Sequence, residues 1–301
     1  MGHGHGHGHA RPTPRRALTI ALVLTLGFSV AEVVGGILTG SLALLADAGH
    51  MIGDSGALAM SLVIAMVAAR PRSREKTYGY RRAEVLGALL NALALVGICV
   101  WITTEAVGRI QAPPDVEALG MLVVATLGLG VNVIAAWVLA TRGGGGINVR
   151  GAMMHVLGDA LGSVAAIVAG VFLLSFGWRM ADPIASLVIA VLILVGGVRL
   201  LRETTHVLME GTPEDLDVHD LEHTILGTPG VSDVHDLHVW ALTPGEPMLT
   251  AHVVIEPGTH GTQVARHVGQ RLRQNHGIDH VTIQPEPPDG ALVTLRLRKH
   301  A

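Results

Sequence analysis

A chain of 301 residues that is 50% hydrophobic and 15% charged, with a mean hydropathy of +0.49, has the composition of a membrane protein. Soluble globular domains carry about 25% charged residues. The net charge of -3 and the lack of a basic tract point away from nucleic acid. The one cysteine, Cys99, excludes an intrachain disulfide and a thiolate-rich metal cluster, so metal chemistry must rest on histidine and carboxylate.

Residues 1–16 open with alternating Gly and His and read as a disordered His/Gly-rich tail. The tract reads as a metal-collecting arm on one side and as an expression tag or non-specific chelating tail on the other; tags usually carry consecutive histidines, which favours a natural segment. Six apolar segments follow, at about 17–38, 43–69, 83–109, 117–140, 149–175 and 183–201. Each is near or above the ~20 residues that span a bilayer. The first follows Arg11, Arg15 and Arg16 and resembles a secretory signal, but its length and the spans after it make it a membrane helix.

The linkers set the orientation. Arg70, Arg72, Arg74, Lys76, Arg81 and Arg82 lie between spans two and three. Arg142 and Arg150 flank the linker between spans four and five, and Arg199 and Arg202 mark the end of span six. The opposite linkers offer Arg109 and Arg179 alone. Positive residues stay inside, which places both termini in the cytoplasm of a multi-pass inner-membrane protein.

Two stretches organise the spans: His50-Met51-Ile52-Gly53-Asp54 and His155-Val156-Leu157-Gly158-Asp159. Residues i and i+4 share a helix face, so each stretch presents an imidazole and a carboxylate together. Two such helices facing each other supply two nitrogens and two oxygens, which suits tetrahedral Zn²⁺ and, less selectively, Cd²⁺, Co²⁺ or Ni²⁺. A hydrogen-bonding network that only joins helices would not need the same spacing twice. Asp47, three residues before His50, reads equally as an orienting partner for a ligand or as a helix-end polar group. Glu32, Asn91, Glu105 and Asn132 read as hydrogen-bonding groups between helices.

After Leu208 the composition turns polar. Helical spacing from Glu214 to Leu226, alternation over Val231–Leu242 and Met248–Ile255, a helix over His260–Asn275 and a strand over His280–Gln284 predict an α-β-β-α-β order. Residues 17–208 thus form a six-helix transmembrane domain, and 209–301 a small soluble α+β domain of ferredoxin-like kind.

These residues carry a family resemblance. Ser41 to Met51 (SLALLADAGHM), Tyr78 to Glu84 (YGYRRAE), Glu105-Ala106 with Arg109, Ala181-Asp182-Pro183, Val234 to Trp240 (VHDLHVW) and Val281 to Gln284 (VTIQ) resemble the cation diffusion facilitator proteins, most nearly the bacterial zinc-efflux branch. The resemblance implies a homodimeric proton-coupled antiporter that exports divalent metal, with His50, Asp54, His155 and Asp159 as its transport ligands. It implies further metal in a cytoplasmic sensing and dimerisation domain, at His235, His252 and Glu286 beside Gln284. Charge interlocks of the family fall on Arg82 and Glu210. The loop before Tyr78 has no histidine, so no metal is expected there, and Gly143–Gly146 replace the His-rich linker of some members.

The mechanism expected is alternating access around a midplane site where metal and protons compete. Two other readings stand beside it: a membrane-anchored metal sensor without flux, and a membrane-embedded zinc hydrolase. The hydrolase would need an open coordination position and a base, and no His-Glu-x-x-His is present.

Overall fold

The computed structural model describes residues 15–68, 73–142 and 147–288. Six long helices come first: α1 (Arg15–Thr39), α2 (Leu42–Ala68), α3 (Ala83–Gln111), α4 (Ala118–Arg142), α5 (Ile147–Phe176) and α6 (Ala181–Leu208). In an apolar medium each backbone N–H and C=O must find its partner within the segment, which makes helices of such sequences. Among the described residues, five of the six are long and apolar enough to cross a membrane; in α2 the apolar part so described is Leu42–Gly53. Val23, Ile37, Leu38, Trp137 and Val195 stand exposed on these helices, as an apolar surround requires. Their buried side is rich in small residues such as Ala43, Ala46, Ala125, Ala166 and Ala190.

Glycines set the closest helix contacts. A Cβ at Gly35 of α1 would meet Val124 of α4 at 2.8 Å, and one at Gly53 of α2 would meet Leu95 of α3 at 2.7 Å. Small residues at such crossings let membrane helices pack by direct contact.

The chain divides into two compact units, 1–63 with 87–201 and 64–86 with 202–301. The second unit holds α7 (Val218–Leu226), β1 (Val231–Ala241), β2 (Pro247–Ile255), α8 (Gly261–His276) and β3 (His280–Glu286). The sheet order is β1-β2-β3, with β1 antiparallel and β3 parallel to β2. Leu221 and Ile225 of α7 and Val264, Val268 and Leu272 of α8 bury one stripe each against Leu249, Ala251 and Val253 of β2. Their spacing of three to four residues is what puts them on one face.

Several boundaries differ from the sequence expectation. Helix α7 begins at Val218 rather than Glu214, because Asp217 caps it by accepting from the His219 N–H at 2.9 Å. Strand β3 runs two residues past Gln284, which brings Glu286 into the sheet. Helix α6 continues to Leu208, beyond the apolar run that ends near 201.

Candidate metal centres and the family

His50 comes from α2, and His155 and Asp159 come from α5. Asp159 has no exposed surface; its Oδ1 lies 3.6 Å from His50 Nε2 and its Oδ2 lies 3.6 Å from His155 Nε2. The two imidazole centroids are 6.0 Å apart. One donor atom from each of the three falls within 4.8 Å of the others. Donors about 2.0–2.2 Å from a tetrahedral zinc stand roughly 3.3–3.6 Å from one another, so the spacing fits that ion. Asp54 lies on α2, but its side chain is outside the described residues.

Asp47, read from the sequence as an orienting partner for a ligand or a helix-end polar group, and Glu32, read as a hydrogen-bonding group between helices, lie buried in the same helix group. Asp47 Oδ2 accepts from the Ser163 hydroxyl at 3.3 Å, and Asn132 Nδ2 donates to that hydroxyl at 3.5 Å. Asn132 is thus an interhelical hydrogen-bonding group, as expected. Glu105 is not: it pairs with Arg109 on its own helix at 3.0 Å, because the two are four residues apart. Glu32 of α1 meets the Asp47 carboxyl of α2, while no N–H or hydroxyl among the described residues reaches its oxygens.

Asp182 has a reach that its position in sequence hides. Buried at the start of α6, it accepts from Ser41 Oγ at 2.6 Å, Leu42 N at 2.9 Å and Ala43 N at 3.1 Å. It thereby caps the first turn of α2, with Arg109 Nη1 3.7 Å from its Oδ2. A carboxylate at a helix N-terminus answers both the orphan N–H groups and the helix dipole.

In the second unit, strand register brings the other cluster together. His235 pairs with His252, and His252 with Gln284. Side chains alternate along strands, so Glu286, two residues on, shares the face of Gln284. His235 Nε2 is 3.0 Å from Glu286 Oε2, and His252 Nδ1 is 2.9 Å from Glu286 Oε1. Gln284 Nε2 donates to Glu286 Oε1 at 3.0 Å. Partial burial works to raise the Glu286 carboxyl, but the Gln284 and His235 hydrogen bonds and the nearby imidazoles outweigh it and hold the group below its ordinary 4.5. Beside it, Asp236 takes φ 52° at a bulge and accepts from His238 Nε2 at 3.0 Å. His260 and His280 are exposed.

Arg82 Nη2 meets Glu210 Oε1 at 2.9 Å. A second pair within the same unit, Arg81 with Glu246, was not foreseen. No spacing rule could have linked residues so far apart.

Residues 18–209 match the cation efflux transmembrane domain, and residues 213–288 match the cytoplasmic domain of cation efflux proteins. The chain belongs to the cation efflux (cation diffusion facilitator) family. It is 41% identical over 276 residues to the cadmium, cobalt and zinc/H(+)-K(+) antiporter of Bacillus subtilis, covering 90% of this chain and 88% of that one. It is 43% identical over 272 residues to the metal cation efflux system protein CzcD of Cupriavidus metallidurans (90% and 86%). It is 39% identical over 273 residues to the zinc transporter ZitB of Escherichia coli (90% and 87%). Among solved structures, the metal-bound C-terminal domain of the Cupriavidus CzcD transporter is 43% identical, covers 24% of this chain and 99% of its own, and aligns with a TM-score of 0.23. Membership in this family makes the chain a multi-pass membrane transporter and not an enzyme, so the hydrolase reading falls. Its cytoplasmic domain is of the type through which such proteins form homodimers.

Proposed function

We propose that this protein is a proton-coupled antiporter that exports zinc from the cytoplasm, with Cd²⁺, Co²⁺ and Ni²⁺ as lesser substrates. The observation that carries the reading is the placement of His50 and His155 on either side of Asp159, each Nε2 3.6 Å from one of its oxygens. Two helices supply the donors, and their number, type and spacing suit a four-coordinate divalent ion. Asp54 completes the set as fourth ligand in this reading. The transporter relatives of Bacillus, Cupriavidus and Escherichia support the choice of cargo.

Chemistry then couples the ion to protons. Imidazoles bind metal only when neutral and carboxylates only when ionised, so loading from the cytoplasm expels protons. On the more acidic side, protons return to the same groups and the metal leaves. Alternating access follows if the helices rock around the site. Six spans with both termini in the cytoplasm make up the transport domain (17–208), preceded by the His/Gly tail (1–16). Residues 209–301 form a ferredoxin-like sensing and dimerisation domain. There His235, His252 and Glu286 would hold a regulatory Zn²⁺: two nitrogens and a carboxylate held in its ionised form match what that ion takes. Arg82 and Glu210 act as a charge interlock in the same unit.

Zinc flux into proteoliposomes under an imposed pH gradient tests the reading, with Asp159→Ala as the comparison. Flux should follow the gradient and vanish in the variant. Zinc binding without flux in either protein would instead favour a membrane-anchored sensor. Flux that survives Asp159→Ala would remove the site altogether.

A further inference from the structure

Four helices of the membrane unit converge on a group of oxygen donors that the His/Asp cluster does not use. Glu32 of α1 has no exposed surface; its carboxyl meets that of Asp47, another acid, at hydrogen-bonding range, while no N–H or hydroxyl among the described residues reaches either of its oxygens. Asp47 of α2 is 1% exposed; its Oδ2 takes the Ser163 hydroxyl, its carboxyl meets that of Glu32, and no N–H or hydroxyl among the described residues reaches its Oδ1. Asn132 of α4 holds Ser163 from the other side. The charges of Glu32, Asp47 and Asp159 are near enough to act on one another. Two glycines make the space: a Cβ at Gly128 would lie 2.9 Å from Glu32 Oε1, and one at Gly162 would overlap the Asp47 carboxylate.

Their hydrogen bond to each other leaves the remaining oxygens of Glu32 and Asp47 without an N–H or hydroxyl among the described residues other than that of Ser163, and buried acid oxygens left so are costly. When both are ionised the pair carries two negative charges, which one divalent cation balances. The donors are all oxygen, so they would hold such an ion less tightly and less selectively than a set containing imidazole. Asp47 lies three residues before His50, and Ser163 four residues after Asp159, on helices that run in opposite senses here. Both offsets lead the same way, toward the α2 end capped by Asp182, by about 5–6 Å. In the orientation proposed above, that is the outer side.

We propose that Glu32 and Asp47, with the Ser163 hydroxyl, form a second, oxygen-only station for a divalent cation, one helical turn outward of the His50–His155–Asp159 cluster. It rests on the reading of that cluster as the transport site. A weak oxygen site beside a stronger mixed one gives the departing ion a step toward release.

Cadmium serves as the probe, in full-length protein whose cytoplasmic cluster has been removed by His235→Ala and His252→Ala. Equilibrium dialysis counts bound ions per protomer, and X-ray absorption at the cadmium edge reads their nitrogen and oxygen neighbours. Glu32→Gln should remove one ion per protomer and enrich the remaining shell in nitrogen. Asp47→Asn should do the same. Ser163→Ala, which leaves every charge in place, should weaken the second ion by about threefold or more, as loss of one neutral oxygen donor would. An unchanged count and shell in Glu32→Gln overturns the proposal. So does a variant with the full count whose zinc flux has lost its pH dependence, since the pair would then be a seat for protons. The antiporter reading is judged separately, by flux in Asp159→Ala.

Discussion

An aspartate with no exposed surface inside an apolar helix group costs about 2.5–3.5 kcal/mol on insertion scales, so Asp159 has to be answered by its surroundings. Its partners were legible in the sequence because the i,i+4 rule fixes His155, and the repeated pattern nominates His50. Asp47 was only half legible. Its distance from His50 put it near the site, but nothing in sequence shows that it rests on Ser163 across the helix interface. Gly162 is what allows that approach, and an alanine there would drive its methyl into the Asp47 carboxylate. Gly162→Ala should therefore lower stability by about 1–3 kcal/mol, the usual cost of overpacking. Thermal unfolding in detergent measures this, with Gly130→Ala as the control, since nothing lies within 4 Å of a Cβ at 130. Equal melting temperatures for the two variants would remove Gly162 from the account.

Element ends show why part of the fold stays hidden from sequence reasoning. Helix spans follow from length and hydropathy, and the α-β-β-α-β order follows from periodicity. Partners contributed by another element do not. Ser41 is a recognisable cap, yet the carboxylate that receives it and the next two N–H groups belongs to Asp182 at the start of α6. Asp182→Asn keeps the volume but loses the charge that Arg109 and the α2 N-terminus face. We expect destabilisation of about 1–3 kcal/mol, in line with weakening of buried charge-assisted hydrogen bonds. Hydrogen exchange should locate the loss in the first turns of α2, and unaltered protection there would refute it. Strand β1 makes the same point about register. Its bulge between His235 and His238 changes the alternation, so Leu237 packs inward while His235 stays on the face of His252. Simple alternation would have put His235 and Leu237 on one side.

At the scale of the whole molecule, the cytoplasmic cluster takes one residue from each strand of the sheet: His235 from β1, His252 from β2 and Glu286 from β3. The unfolded chain cannot bring the three together, so metal bound there stabilises the folded domain by mass action. At a free zinc concentration 100 times the dissociation constant the gain is about 2.7 kcal/mol, or roughly 100-fold slower exchange of amides that open only with the domain. The full-length protein should show that protection across 231–286, and His235→Ala with His252→Ala should abolish it. The direction with pH is also fixed. Glu286 is held below 4.5, so as a depressed carboxyl it stays ionised and keeps its contribution until the pH falls through its folded value. Imidazoles in general titrate near 6.5 and bind metal only when neutral. Zinc-dependent protection should thus be full at pH 7.5 and fade as the solution is acidified toward pH 5, while Glu286 is still charged. Protection that persisted down to pH 4.5 would show that the carboxylate holds the ion without the histidines. Loss on mild acidification, together with insensitivity to Asp159→Ala, would assign the effect to the cytoplasmic cluster rather than to the membrane site.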